Sequence, residues 1–273
     1  MAPDGVRFFT NSTDPRPAES VRPRYQIILC MDDREESFRR YLEALSKELE
    51  TFGTAGFFNL AIAYQGIDDP TTFPLCPVVV TPQHQIVEEP LGPDAKRYAR
   101  RQRVQRGWGF VLDRFSWASR SLLLGWLVTA VTGFVAALPL LLTVFAPSLA
   151  ARVRRRVSQG LLPQVKTQLA TARESEAADP VRGRMKTGFS VEEKAARVAG
   201  LLENIGLTKN FSDLVILLGH DSRTVNNPHF AAYACGACGG RSGGPNARLF
   251  ARMANRPKVR ELLKQRGIGV STC

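Results

Sequence analysis

The sequence lacks the features that mark a secreted, disulfide-bonded protein. Its five cysteines are an odd number without regular spacing, which argues against a disulfide scaffold. The first twenty residues are polar and contain proline, without the apolar core of a signal peptide. We therefore expect reduced thiols in a cytoplasmic protein, and reduced thiols are what a zinc site requires.

Acidic residues are also scarce. The chain has 25 Asp and Glu against 37 Lys and Arg, a formal charge of +12. Such an excess is typical of proteins that meet nucleic acid, a membrane surface or an acidic partner. The sequence contains no recognised nucleic-acid module, and its basic residues concentrate beside an apolar stretch, so we expect no nucleic-acid partner. An apolar content of 44% over 273 residues fits a globular protein of one or two domains.

Charge is absent altogether from residues 121–151, a run of 31 residues that is long enough to cross a hydrocarbon core of about 30 Å. Residues 96–120 before it contain eight basic residues interleaved with Trp108, Phe110, Phe115 and Trp117, and arginines follow the apolar run from Arg152. Three interpretations stay open: a transmembrane helix, a buried helical hairpin, or helices that dock on a membrane or on an integral partner. Basic residues on both sides leave the orientation undetermined.

The rest of the chain alternates between strand and helix patterns, which predicts an α/β fold with a parallel sheet. Strands are expected over 24–29, 60–64, 76–80 and 213–218. Helices are expected over 35–51, 190–205, 246–254 and 257–265, with a polar helical segment running to about Glu176. We expect an irregular lead-in over 1–22, an α/β domain in two parts over 23–93 and 179–273, and a helical basic and apolar insertion over 94–178.

Two clusters of chemically reactive residues follow predicted strands. Cys30 and Asp32 come directly after the first strand, and His220 follows the strand that ends near Leu218. Cys235 lies in the glycine-rich loop beyond His220. Because the carboxyl ends of parallel strands are where ligands bind in open α/β sheets, these side chains are expected to meet. Cysteine, aspartate, histidine and a second cysteine are ligands that suit tetrahedral zinc.

Plainer explanations stay open for each of these residues. A single cysteine after a strand is usually a core residue, and a single histidine is usually structural. The pair Cys235 and Cys238 could be half of a zinc ribbon or a redox pair, although the sequence has no second such pair for a ribbon. Cys238 is also a rival to Cys235 as a ligand. Asp33 and Asp221 are candidates for orienting the ligands through hydrogen bonds.

Three longer motifs carry a family resemblance. They run from Cys30 to Arg40, from Glu50 to Phe58, and from Gly219 to Arg248, the last including Asn226-Asn227-Pro228. The pattern Cys-x-Asp-x-Arg resembles the β-class carbonic anhydrases. Together the motifs resemble the DabA family, the soluble subunit of a two-part inorganic carbon pump, over residues 24–268. Family members are much longer than 273 residues, so the chain is expected to be a fragment or a short form.

The resemblance implies a site and a partner. It places zinc (Zn²⁺) ligands on Cys30, Asp32, His220 and Cys235, in a core similar to β-carbonic anhydrase. Arg34 matches the arginine that pairs with the aspartate and draws it off the metal. Fifteen positions separate His220 from Cys235, as in DabA and unlike the short spacing of β-carbonic anhydrases. The implied partner is an integral membrane proton- or cation-translocating subunit similar to DabB, with this chain peripheral on the cytoplasmic face of the inner membrane.

The resulting hypothesis is a zinc-dependent conversion of CO2 to bicarbonate, coupled to ion flow through the partner. Asp32 and Arg34 are the expected catalytic residues, because movement of Asp32 between the metal and Arg34 would gate the site. Two alternatives remain: a stand-alone β-class carbonic anhydrase, and a non-catalytic protein with structural zinc in a closed shell of four ligands. Whether the chain turns over CO2 without its partner is left open.

Overall fold

The computed structural model describes residues 22–171, 185–222 and 233–269 and confirms the α/β class. The predicted lead-in, apart from Arg22, and the motif Asn226-Asn227-Pro228 lie outside the described residues. The strands are β1 (Tyr25–Cys30), β2 (Leu49–Thr54), β3 (Ile62–Gln65), β4 (Phe73–Leu75), β5 (His84–Pro90), β6 (Thr167–Leu169), β7 (Lys186–Thr187) and β8 (Leu214–Leu218). The helices are α1 (Asp33–Leu45), α2 (Ala95–Ser119), α3 (Gly125–Phe145), α4 (Pro147–Leu161), α5 (Val191–Asn204), α6 (Gly244–Ala254) and α7 (Pro257–Gln265).

A three-stranded parallel sheet in the order β2-β1-β8 positions the site. Its central strand, β1, is an apolar run that ends in the buried Cys30. Ile28 of β1 lies opposite Phe52 of β2 on one side and Leu217 of β8 on the other. The parallel pairing of β1 with β8 brings two carboxyl ends together although they are almost 190 residues apart in the chain.

A second, mixed sheet has the order β4-β3-β5-β6, and β7 also pairs with β5. The pairs β3 with β5 and β5 with β7 are parallel, whereas β4 and β6 run antiparallel to their neighbours. One hydrophobic cluster joins both sheets to α5, α6 and α7, and it includes Ile28, Ile62, Leu202, Phe250 and Leu263. Burial of this cluster is the main term that holds the two sheets in one fold.

The helix that begins at Ser190 has the capping box that its sequence predicts. The Ser190 hydroxyl accepts the Glu193 N–H at 3.1 Å, and the Glu193 carboxylate accepts the Ser190 N–H at 2.9 Å. Gly206 follows with a φ of +76°, a value that favours glycine and ends the helix. The predicted helices 246–254 and 257–265 are confirmed as α6 and α7.

The predicted helix over 35–51 is wrong over its last six residues, 46–51. The helix α1 ends at Leu45, and Leu49 begins the strand β2. The apolar spacing that suggested one long helix does not mark a buried face, because Tyr41 is 71% and Leu45 84% exposed. The residues from Leu49 onward include the β-branched Thr51 and the buried Phe52, which suit a strand between two loops.

The predicted strand over 76–80 is also wrong. Cys76 is buried, but Pro77 opens a turn in which its carbonyl accepts the Val80 N–H at 2.8 Å, and Val79 is 94% exposed. Pro77 is the first residue of this turn and has no N–H to donate to a strand ladder, which weighs against a strand despite the three valines that follow it. The strand that follows this turn is β5, which the sequence did not predict because most of its residues are polar.

The described part of the predicted insertion, residues 94–171, contains three consecutive helices, and the last one stops earlier than expected. The helix α4 ends at Leu161, just before Pro163, and β6 then rejoins the second sheet beside β5. Within the described residues, α3 is the one helix long and apolar enough to cross a membrane, and none of its apolar window is buried. The buried-hairpin interpretation is therefore wrong for α3.

Asn246 holds together loops from both sheets. Its amide nitrogen is fully buried and lies 3.1 Å from the Phe57 carbonyl, 2.7 Å from the Leu60 carbonyl and 3.1 Å from the Leu75 carbonyl. A buried backbone carbonyl without a donor is costly, so one side chain satisfies acceptors that water cannot reach. The loop over 55–60 is fixed in this way.

We expect Asn246→Ala to lower the free energy of unfolding by about 2–3 kcal/mol, because it leaves these carbonyls without their donor. Equilibrium denaturation in urea measures the change. Asn204→Ala, at the exposed end of α5, is the matched control and should stay within about 0.5 kcal/mol of the original chain. Equal losses in the two variants would contradict this role for Asn246.

Candidate metal centre

Three of the four predicted ligands meet at the carboxyl ends of β1 and β8. Cys30 is the last residue of β1, and His220 follows β8 after a single glycine. A ring nitrogen of His220 and the sulfur atoms of Cys30 and Cys235 all lie within 4.8 Å of one another. The two sulfur atoms are 3.9 Å apart and are not joined by a disulfide. Two thiolates on one tetrahedral zinc, each bound at about 2.3 Å, would lie roughly 3.8 Å apart.

The loop after β8 delivers Cys235 through a compact set of backbone contacts. Cys235 donates its N–H to the Arg241 carbonyl at 3.1 Å, and its own carbonyl accepts from Cys238 and Gly240 at 3.0 Å. The His220 carbonyl accepts the Gly243 N–H at 2.9 Å. These bonds fold the glycine-rich segment back onto the end of β8, so that the fully buried Cys235 side chain faces His220 and Cys30.

Cys238, the rival ligand, lies beside Cys235 but makes a different contact. It is fully buried, and its thiol donates to the Gly56 carbonyl at 3.4 Å. The group that comes together contains Cys235 and not Cys238. Cys238 therefore supports the loop that carries Gly56, the residue directly behind the two sulfur atoms.

Gly56 forms the wall of the site. A Cβ atom at this position would lie 2.6 Å from the Cys235 sulfur and 2.8 Å from the Cys30 sulfur, distances that real Cβ atoms do not show. Only a hydrogen atom leaves room for both sulfur atoms here. The motif from Glu50 to Phe58 contains this glycine, but its role depends on two sulfur atoms, one of which a distant part of the chain supplies.

Asp32, the fourth predicted ligand, is held by Arg34. Its Oδ1 accepts from Arg34 Nε at 3.0 Å and its Oδ2 from Arg34 Nη2 at 3.3 Å. Oδ1 also accepts the Arg34 N–H at 3.1 Å, so Asp32 is the N-cap of α1. Hydrogen bonds from Arg34 hold the pKa of the Asp32 carboxyl below its ordinary value. Arg34 also donates to the Tyr233 carbonyl, which ties the start of α1 to the loop of Cys235.

Glu35 is a neighbour that the sequence analysis missed. Its side chain is buried, and its Oε2 accepts the Cys30 N–H at 2.9 Å. Burial raises the pKa of this carboxyl. The two acids predicted to orient the ligands make other contacts. The Asp33 side chain is 92% exposed, and the Asp221 carboxylate accepts the N–H of the adjacent Ser222. A glutamate in the first turn of a helix is so common that its type alone gave no signal.

The donor set fits a divalent cation. Without one, the hydrogen bond with Cys235 and burial raise the pKa of the Cys30 thiol well above its usual range, and the hydrogen bond with Cys238 and burial raise that of Cys235 to about 12. The Nε2 atom of His220 is buried and makes no hydrogen bond of good geometry with any described residue. A nearby cation would favour the thiolates and give the imidazole a partner, and this soft set of donors suits zinc.

Comparison with known protein families identifies relatives of the chain. Residues 8–272 match the family model described as "Probable inorganic carbon transporter subunit DabA". The chain belongs to the DabA family. Its DabA relatives include "Probable inorganic carbon transporter subunit DabA 1" of Sorangium cellulosum, 47% identical over 95% of this chain and 25% of the relative. A DabA of Methylococcus capsulatus is 45% identical over 91% of this chain and 23% of its own length.

The DabA relatives are therefore much longer than this chain, which spans about a quarter of their length. A more distant DabA, from Parafrankia sp., is still 37% identical over 90% of the chain and 24% of its own length. No solved structure matches the chain. The family name indicates a subunit of an inorganic carbon transporter.

The wall formed by Gly56 can be tested with Gly56→Ala. The added methyl group must push the two sulfur atoms apart, and overpacking of about 1–3 kcal/mol corresponds to a roughly 5- to 150-fold loss of zinc affinity. Competition with a chromophoric chelator measures the affinity. Gly236→Ala is the matched control, because a Cβ there meets nothing within 4 Å. Unchanged zinc affinity in Gly56→Ala would contradict the assignment of this site.

Proposed function

We propose that the chain is the zinc-binding subunit of an energy-coupled inorganic carbon pump and converts CO2 to bicarbonate at a gated site. Its fold is proposed to resemble β-carbonic anhydrase in the three-stranded sheet that carries the ligands. The observation that supports the proposal most is the convergence of Cys30, His220 and Cys235 within 4.8 Å. When bound, zinc supplies a nucleophile at neutral pH by lowering the pKa of water, which is the chemistry that CO2 hydration needs.

Asp32 and Arg34 are proposed to control access to the site. With Asp32 held by Arg34, three ligand side chains remain, and one side of a tetrahedral site is left for a small molecule. If Asp32 turned to the metal instead, it would complete the predicted set of four ligands and close the site. Arg34 decides between these states because it offers the carboxylate two charge-assisted hydrogen bonds.

The pairing of Asp32 with Arg34 also weighs against the alternative of a purely structural zinc. A structural site is closed by four protein ligands, and here the fourth candidate is engaged elsewhere. A stand-alone carbonic anhydrase is distinguished by a direct measurement, since that function predicts CO2 hydration by the purified chain. The pump hypothesis ties turnover to the integral membrane partner, which is proposed to be a proton- or cation-translocating subunit of the DabB type.

The helices α2, α3 and α4 are proposed to place the protein on the cytoplasmic face of the inner membrane. Apolar side chains surround α3 and are exposed, Phe134 to 85%. Trp108 and Trp117 of α2 are exposed as well, and α4 presents an exposed arginine cluster comprising Arg154, Arg155 and Arg156. Aromatic rings and arginine side chains both gain at a membrane interface, so the three helices suit contact with anionic lipid and with an integral partner.

Gating by Arg34 predicts the effect of Arg34→Ala. Without its partner Asp32 is free to occupy the metal, so zinc should remain bound while CO2 uptake falls roughly 10- to 100-fold. Uptake is measured in cells that also produce the membrane partner, and zinc content is measured on the purified variant. Arg40→Ala, which removes an exposed arginine of α1, is the control and should transport normally. Undiminished uptake by Arg34→Ala would refute the gate.

The membrane contact predicts binding to vesicles in the absence of any partner. The purified chain should float with vesicles containing phosphatidylglycerol, and replacing Arg154, Arg155 and Arg156 by alanine should weaken binding by about 1 kcal/mol per residue. The control replaces three exposed basic residues on α6 and α7, outside the insertion: Arg252, Lys258 and Lys264. Carbonate washing should release the protein from cell membranes. Resistance to washing would instead mean that α3 spans the bilayer.

A further inference from the structure

The first turns of α1 and α5 both place a glutamate three residues after the N-cap. In α5 the Glu193 carboxylate accepts the N–H of the N-cap residue Ser190, as in an ordinary capping box. In α1 the N-cap is Asp32, and the corresponding glutamate is Glu35. Its carboxylate passes by the N-cap and accepts the N–H of Cys30 at 2.9 Å. Glutamates at the same helix position thus accept hydrogen bonds from different backbone N–H groups: the N-cap residue in α5, and a residue two positions before the N-cap in α1.

The position of Cys30 explains why this bond matters. The pairing of β1 with β8 ends at Leu29 opposite Leu218, so Cys30 is one residue beyond that ladder. It is also the point where the chain leaves the sheet toward α1, and its sulfur atom must stay within reach of His220 and Cys235. This hydrogen bond is buried, so removal of its acceptor would leave the Cys30 N–H without a partner, which is costly.

We propose that Glu35 is a positioning residue of the metal site, which fixes the backbone of Cys30 and thereby the direction of its sulfur atom. The inference rests on the proposed zinc site and extends it to a residue that is not a ligand. Glu35 itself stays off the metal, because its carboxylate is engaged by the Cys30 N–H. Side chains that orient ligands in this way commonly change metal affinity 10- to 100-fold when they are removed.

Three variants of the full chain separate this role from others. Glu35→Gln keeps an oxygen acceptor without the charge, whereas Glu35→Leu keeps the approximate bulk and loses the acceptor. Asp33→Leu is the control, because it removes an acid from the same helix turn whose side chain is 92% exposed. Zinc affinity is measured by chelator competition, and the visible absorption of the cobalt-substituted proteins reports the geometry of the thiolate ligands.

We expect Glu35→Leu to lose zinc affinity about 10- to 100-fold and to shift the cobalt spectrum. Glu35→Gln and Asp33→Leu should both stay within roughly threefold of the original chain, since the bond to Cys30 survives in each. If Glu35→Leu fails to fold by circular dichroism, Glu35→Met, which keeps a similar length and also lacks an oxygen acceptor, takes its place.

Unchanged zinc affinity and an unchanged cobalt spectrum in the folded acceptor-free variant would overturn the inference while leaving the proposed zinc site intact. A loss in Glu35→Gln as large as in Glu35→Leu would also overturn it, because the charge rather than the hydrogen bond would then be responsible. Absence of zinc binding in the unaltered chain would remove the proposed function itself, and the inference with it.

Discussion

The site depends on the parallel pairing of β1 with β8. This pairing aligns Leu29 with Leu218, so the residues that follow each strand emerge at the same edge of the sheet. Parallel strands require a long connection between them, and here that connection holds the second sheet, the helical insertion and α5. The candidate ligands Cys30 and His220 are therefore far apart in sequence and close in space. If the register slipped by one residue, the side chains of β8 would exchange faces and the site would lose this alignment.

Next to that pairing, three neighbouring residues at the start of α1 make contacts that order the site. Asp32 caps the helix and is held by Arg34, Arg34 reaches the carbonyl of Tyr233, and Glu35 holds the backbone of Cys30. Carboxylates are favourable at a helix N-terminus because of the helix dipole, so the same residues that stabilise α1 also order the site.

Sequence reasoning found what depends on local signals and missed what depends on packing. Four residues were predicted to meet, because Cys30, Asp32 and His220 come after apolar strands and Cys235 lies in the loop beyond. Three of them, Cys30, His220 and Cys235, do come together. The capping box at Ser190 was likewise predicted from a local signal. The helix over 35–51 was overextended because apolar residues at helical spacing occur in α1 without being buried. Gly56 and Glu35 could not be assigned, since their roles arise from contacts with residues that other parts of the chain supply.

The insertion is joined to the core at both of its ends, and this constrains how the site faces its surroundings. Arg101 of α2 makes a bidentate pair with Asp68, which follows β3, and also donates to the Pro163 carbonyl beyond α4. Asp94 accepts the Lys166 N–H at 2.8 Å, just before β6 rejoins the sheet. A bidentate arginine pair fixes orientation as well as distance. These bonds attach α2 and the chain after α4 to the second sheet. The Leu75 carbonyl of that sheet accepts from the Asn246 amide, which also donates to the Phe57 carbonyl next to Gly56.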